Sequence, residues 1–288
     1  MSSETPSVIL TANVGSSSLK FSLYRMRRSA IGVEPILSGK LDRIAIGGGR
    51  FVVWDNRQAV LVERQIELPN YEVAIKTMLD WVNGTPHGQE LRAAGHRVVH
   101  GGRQYNQPQL VTSELLQTLK DLIPLAPDHL PQEIEAIEIL QRLHPNLKQV
   151  VCFDTAFHRT MPRPAQLYGL PIKLADDGII RYGFHGLSYE YIVQELSRQI
   201  DEQSSNERVI VAHFGNGASL AAIRDGKSID TSMGFTLTGG IAMSTRSGDL
   251  DPGVILYLLQ KKNYSSSQVS ELVTRELGSS GCPASVRI

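Results

Sequence analysis

The amino-acid sequence predicts an α/β chain made of two similar halves, and three features carry that prediction. Two β-rich runs, Val8 to Asn13 and Leu19 to Tyr24, flank a Gly/Ser turn and read as a hairpin. From residue 71 onward, helical and strand periodicities alternate. In the second half a further glycine turn appears, and Ala212-His-Phe-Gly215-Asn216 lines up with Ala12-Asn-Val-Gly15-Ser16, each leaving one strand and entering another. Taken alone, that match fits chance as well as it fits a duplicated domain with one hairpin loop per copy.

The elements follow in order. Strand-like stretches at 36–45, 51–54 and 59–67 extend the first hairpin into a mainly antiparallel sheet. A helix is predicted over 71–83, a second after Thr112 as N-cap, and a third over 132–143 behind Pro131. Strands at 95–99 and 148–153 alternate with them. The second half opens near Phe153, with a helix over 188–200 and an acidic, Ser-rich loop at 201–207. The apolar run VIVAHF at 209–214 reads as a buried strand. Gly215-Asn-Gly217 then turns the chain into Ala218 to Arg224, and Asp225-Gly226 makes the next turn. Helices at 252–262 and 266–277 complete the periodic part.

Length and charge exclude several classes. The 288 residues suffice for one large or two ordinary domains, and 41% hydrophobic with 20% charged residues is ordinary for a globular chain. Lys plus Arg balance Asp plus Glu at 29 each, so net charge exerts no pull toward nucleic acid or an anionic membrane. Affinity for phosphate must come from a local site. The start, MSSETPS, lacks the basic and then apolar regions of a secretory leader, and no apolar run approaches the roughly 18 residues of a membrane helix. Cys152 and Cys282 stand in unlike contexts and suggest neither a disulfide framework nor a zinc site. Cys152, within VVCF, reads as a small buried side chain. The expected compartment is the cytoplasm.

A polyphosphate is held by inward-pointing backbone N–H groups of a tight turn, by hydroxyl donors and by a cation. Asn13-Val-Gly-Ser-Ser-Ser-Leu-Lys20 offers all three, although a polar hairpin turn would read the same way. The P-loop pattern and the strand–GxGxxG–helix pattern are both missing, which argues against those nucleotide folds. This run resembles the opening motif of the acetate kinase family. Six further runs match in order: Gly95-His-Arg-Val-Val-His-Gly-Gly102, Leu125-Ala-Pro127 with His129, Phe153-Asp-Thr-Ala-Phe-His158, Arg181-Tyr-Gly-Phe-His-Gly186, His213-Phe-Gly-Asn-Gly-Ala-Ser219 and Thr245-Arg-Ser-Gly-Asp-Leu-Asp-Pro252. The resemblance implies the duplicated actin-like, sugar-kinase-type ATPase fold. It divides the chain into an N-terminal domain over 1–152, a partial second ATPase domain over 153–277 and an irregular tail over 278–288.

The family implies ATP-dependent phosphorylation of acetate to acetyl phosphate with Mg²⁺, and a homodimer. Its roles carry over residue by residue. Arg97, which without context reads as a surface ion-pair partner, would capture the acetate carboxylate. Val98 and Val99 would line a methyl pocket or simply fill the core. Asp154, otherwise a turn cap, would be the active-site acid. A free carboxylic acid is already ionised at neutral pH, so orienting Mg²⁺ suits Asp154 better than acting as a base. His185, otherwise a core histidine, and Arg246, otherwise a local partner of Asp249 or Asp251, would stabilise the transferring phosphoryl group. Lys20, Ser16 and Ser18 would meet nucleotide phosphates, Asn13 the metal, and His213, Gly215, Asn216 and Gly217 would form the second phosphate loop.

The pattern also departs from the family. Family members show Ala, Thr and His where this chain has Val14, Leu187 and Tyr189, and Leu and Asn where Asp128 and Leu130 flank His129. After Leu277 the sequence stops tracking the family motifs, and members continue with a segment serving adenosine and magnesium. The expectation is therefore a second domain with uncovered apolar surface and weakened catalysis. Rival readings are a propionate or butyrate kinase, a shortened non-catalytic paralogue and, less well matched, a sugar kinase.

Overall fold

Alternation of buried and open positions along the first two strands builds the first sheet. Val8, Leu10, Ala12 and Val14 of β1 (Val8–Val14) and Leu19, Phe21 and Leu23 of β2 (Ser18–Arg25) point into one core, while Asn13 and Lys20 point out. The computed structural model describes residues 7–26, 34–199 and 208–276. The expected 201–207 loop, the 278–288 tail and Cys282 lie outside the described residues. Two compact units appear, one comprising residues 1–100 and 107–153, the other 101–106 and the chain from Asp154 on.

In the first unit β3 (Pro35–Asp42), β4 (Gly49–Asp55) and β5 (Val60–Ile66) continue an antiparallel meander from β2. On its other side β1 pairs parallel with β6 (Leu91–Val98), which pairs parallel with β8 (Lys148–Phe153); β7 (Gln109–Leu110), a two-residue strand without a sequence pattern, closes that edge. Helix α1 (Tyr71–Asn83) starts where the Asn70 side chain accepts the Val73 N–H at 2.9 Å, and buries Ala74, Ile75, Met78, Leu79 and Val82. Helix α2 (Ser113–Asp121) is capped by Thr112 as predicted, and α3 (Leu130–Leu143) adds Ala136, Ile139 and Leu140 to the sheet's core. Cys152 is half-buried on β8 rather than buried, because it alternates with the inward-facing Val151 and Phe153.

The second unit has a smaller sheet. Short helices α4 (Arg163–Gln166) and α5 (Ile172–Asp176) precede α6 (Gly186–Gln199). The sheet consists of β9 (Arg208–Phe214), β10 (Ala218–Arg224) and β11 (Lys227–Thr231), in the order β11-β10-β9. Asp225 and Gly226 turn between β10 and β11 at φ 53° and 73°, the two positive values of a type I′ hairpin turn, which is why glycine follows aspartate there. Tyr189, Val211, Ala221 and Ile223 form the local core.

The strand predicted to be buried is not. Among the described residues β9 pairs only with β10, and its alternate positions are open, with Ile210 77% and Phe214 75% exposed. An apolar run without alternation reads as buried on both faces, yet only Val211 of this strand is buried. Helix α7 (Pro252–Gln260) is equally apolar and exposes Val254, Leu256 and Tyr257. The final predicted helix is divided into α8 (Ser266–Glu271), started by a Ser265/Gln268 capping box, and a wider π turn over Leu272–Glu276.

Two buried histidines link this fold to pH. His96 on β6 is lowered from 6.5 to about 4 by burial, partly offset by its 2.7 Å hydrogen bond to Gln149. His158 is lowered to about 4, again chiefly by burial, against its bond to the Phe184 carbonyl. Both histidines bind fewer protons folded than unfolded between pH 6.5 and about 4, so stability rises with pH across that window and falls on acidification. Each should cost on the order of 3 kcal/mol once the pH is below its folded value. Denaturant midpoints measured from pH 7 to 4 should drop, and His96→Gln or His158→Gln should flatten the drop. An unchanged slope in both variants would show that other groups set it.

Candidate active site

In the first unit the β1–β2 loop is drawn tight by the Gly15 N–H donating to the Ser18 carbonyl at 2.8 Å. The Tyr71 hydroxyl, from the first residue of α1, donates to the Gly15 carbonyl and fixes the loop from below. Burial and the charge of Glu135 push that phenol up to about 12, so it remains a donor. Asn13 and Lys20 face each other directly across the hairpin and both are exposed, with Ser16 exposed at the apex and Ser18 half-buried behind it. The result is a donor-rich loop flanked by a cation, suited to an anion. Tyr71 escaped sequence reasoning because nothing in its local spacing announces a partner 56 residues away.

Arg97 lies on β6 with Nη1 3.5 Å from Glu133 Oε1; its side chain is 24% exposed and that of Glu133 1%. Glu133 Oε2 also accepts the Val99 N–H at 2.9 Å. A buried carboxylate thus anchors both the strand end and the guanidinium. Glu133 was missed, although its place on the apolar stripe of α3, four residues before Ile137, was a legible signal. Val98 and Val99 are fully buried core.

The second unit gathers the remaining residues. The Gly186 N–H donates to the Asp154 carbonyl at 2.8 Å, and a Cβ on Gly186 would lie 2.2 Å from that oxygen. Only glycine permits this approach, which sets His185 (φ 62°) beside the buried Asp154 segment. The His185 ring stacks on that of His213, with centroids 4.1 Å apart and planes at 20°. His185 Nδ1 is 2.7 Å from Ser219 Oγ, and His213 Nδ1 is 3.0 Å from Ser188 Oγ. The 215–217 loop is closed by the Gly215 N–H on the Gly217 carbonyl at 2.9 Å, with Gly215 and Asn216 exposed. A Cβ on Gly217 would stand 3.0 Å from His185 Nε2 and 3.4 Å from Arg246 Nη1, so both side chains converge on this loop.

Arg246 is half-buried and donates from Nη1 to the Leu237 carbonyl at 3.3 Å, while its own carbonyl accepts the Met243 N–H at 3.0 Å. Asp249 and Asp251 accept from the backbone N–H groups of Gly240 and Gly253 at 2.7 and 2.8 Å. Their carboxylates shape the loop. One guanidinium, two stacked imidazoles and a glycine loop therefore converge on one spot, an arrangement able to hold an anion and neutralise charge developing on it. Gly186→Ala is expected to destabilise the second unit by more than the about 1–3 kcal/mol usual for overpacking, because the obstructing atom is backbone. Thermal unfolding checks this; a loss below about 1 kcal/mol would show that the 185–186 turn moves freely.

Two units, each with a tight hairpin loop fit for phosphate, and a cluster of arginine and histidines at the second loop, define a phosphoryl-transfer enzyme of the actin-like ATPase class. The chain belongs to the acetokinase family, whose model matches residues 8–286. The match runs to residue 286, which corrects the expectation that the chain stops tracking the family after Leu277. The acetate kinase of Methylocella silvestris is 45% identical over 281 residues, covering 95% of this chain and 69% of that protein, and that of Desulfitobacterium hafniense is 43% identical over 279 residues. Among solved structures, a propionate kinase from Francisella tularensis superposes with a TM-score of 0.87 at 36% identity, covering 96% of this chain and 70% of that one. The Porphyromonas gingivalis acetate kinase gives 0.81 at 33% identity. The family phosphorylates acetate with ATP. Among the described residues no helix is long and apolar enough to cross a membrane.

Proposed function

We propose that this chain transfers the γ-phosphoryl group of ATP to acetate, giving acetyl phosphate and ADP. A carboxylate oxygen attacks the γ-phosphorus in line as the bond to the β-phosphate oxygen breaks. The acid is already ionised at neutral pH, so no proton need be removed. The convergence of His185 and Arg246 on the Gly217 loop carries this reading, because phosphoryl transfer needs mainly positioning and charge neutralisation.

In the second unit the 213–217 loop cradles nucleotide phosphate, and His185 and Arg246 contact the transferring group. In the first, Arg97 takes the acetate carboxylate while Glu133 fixes the guanidinium, and the 13–20 hairpin serves phosphate through Ser16, Ser18 and Lys20. Mg²⁺ arriving with ATP would supply further neutralisation. It is bound by few protein oxygens and several waters. The Asn13 amide in the first unit and the Asp154 carboxylate in the second each offer an oxygen of that kind.

The likeness to a propionate kinase supports a second reading, with propionate as acceptor. The test incubates the purified chain with Mg-ATP and acetate, propionate or butyrate, and traps acyl phosphate with hydroxylamine. Acetyl hydroxamate formed fastest supports the first reading, and propionyl hydroxamate formed fastest supports the second. No acid-dependent product would leave the chain a non-catalytic relative. Size exclusion of the same preparation reads the homodimer that we propose for it.

A further inference from the structure

We infer that Ser219, oriented by Tyr189, is a positioning residue that fixes His185 in the tautomer carrying its proton on Nε2, the nitrogen turned toward Gly217 and Arg246. Ser219 Oγ lies 2.7 Å from His185 Nδ1 and is also hydrogen-bonded to the Tyr189 hydroxyl. Ser219 and Tyr189 are both fully buried, at 0% exposure, so each proton in the chain must find an acceptor within the protein. Ser219 has a single proton. If the Tyr189 hydroxyl donates to Ser219, the serine proton goes to His185 Nδ1 and both buried hydroxyl protons are satisfied, while the proton on Nε2 belongs to a ring that is only half-buried. In the reverse order His185 donates from Nδ1 and Ser219 donates to the phenol oxygen. The buried Tyr189 proton then has nowhere to go within this chain of bonds, a loss of about 1–3 kcal/mol. Burial also raises the Tyr189 pKa, which keeps the phenol protonated and donating. The outcome is an N–H, not a lone pair, presented at the anion-binding loop. Tyr189 stands where the family motif usually carries histidine, so the relay runs through one of the positions at which this sequence departs from that motif. His213, whose Nδ1 meets Ser188, supplies an internal comparison.

The benefit to catalysis rests on the proposed function, but the tautomer does not, and the two are measured separately. Nitrogen–proton correlation spectra of the ¹⁵N-histidine-labelled chain, with His185 assigned by its loss in His185→Asn, read the tautomer without any turnover. A single form with the proton on Nε2 is expected. Ser219→Ala should give a mixture of tautomers, Tyr189→Phe a smaller shift in the same direction, and Ser188→Ala no change at His185. In the hydroxamate assay Ser219→Ala should lower kcat by about 10- to 100-fold with acetate and ATP KM little altered. A wild-type His185 with its proton on Nδ1, or a tautomer indifferent to both Ser219→Ala and Tyr189→Phe, overturns the inference. Should Ser219→Ala fail to fold, the wild-type spectrum and the near-isosteric Tyr189→Phe decide it. A chain without acyl phosphate activity would remove the proposed function and leave the spectra to decide the tautomer.

Discussion

Replacing Arg246 with alanine is expected to lower kcat for acetyl phosphate formation by about 10²- to 10⁴-fold while leaving the acetate KM nearly unchanged. Each decade is about 1.4 kcal/mol of transition-state stabilisation, so the loss corresponds to about 3–6 kcal/mol. The guanidinium is held on the Leu237 carbonyl and reaches the same loop position as His185 Nε2. Charge placed there matters most when the phosphoryl group is between donor and acceptor, which is why the effect should fall on turnover. Arg246→Lys should recover only part, since an ammonium cannot reproduce the planar fork. Initial rates across acetate and ATP concentrations separate the outcomes, and a loss confined to acetate KM would reassign Arg246 to substrate binding.

Arg97→Ala should act through two routes at once. Loss of a charge-assisted carboxylate bond of about 1.5–3 kcal/mol should raise the acetate KM about 10- to 100-fold. It also removes the Arg97 contact from Glu133, whose side chain is 1% exposed. Breaking a buried pair costs about 3–5 kcal/mol, and with Arg97 partly exposed and the contact 3.5 Å long we expect about 1–3 kcal/mol of stability to be lost. The double variant with Glu133→Gln separates these effects. It should regain much of the stability, since the neutral amide tolerates burial, yet none of the acetate affinity. Acetate saturation unchanged in Arg97→Ala would remove this residue from the carboxylate role.

Much of the fold was legible because it rests on local rules. The alternation in Leu19, Phe21 and Leu23, the Thr112 cap and the stripe along α1 each depend on a few consecutive residues, and the elements formed where those residues place them. Strand β9 was misread for the complementary reason. An apolar run specifies a strand, but its burial depends on what lies beside it, and Ile210 and Phe214 face no cover among the described residues. The two-residue β7 and the short α4 and α5 are too brief for any period to register.

The candidate site divides along the same line. By itself the sequence determined the chemistry available: Asn13, the serines and Lys20 in one turn, Arg97 before two valines, and His185, His213 and Arg246 in glycine-rich runs. Each is a residue type suited to anions. Only the tertiary structure decided which of them meet and in what state. The contact of Gly186 with Asp154 is a backbone approach of 2.8 Å that no spacing encodes, and it brings together segments 32 residues apart. The stacking of His185 on His213, the Ser219 bond that orients it, and the anchoring of Arg97 by Glu133 likewise join residues distant in sequence. A side chain's type fixes what it can donate or accept, but its protonation, orientation and partner depend on burial and on neighbours that only the folded chain supplies.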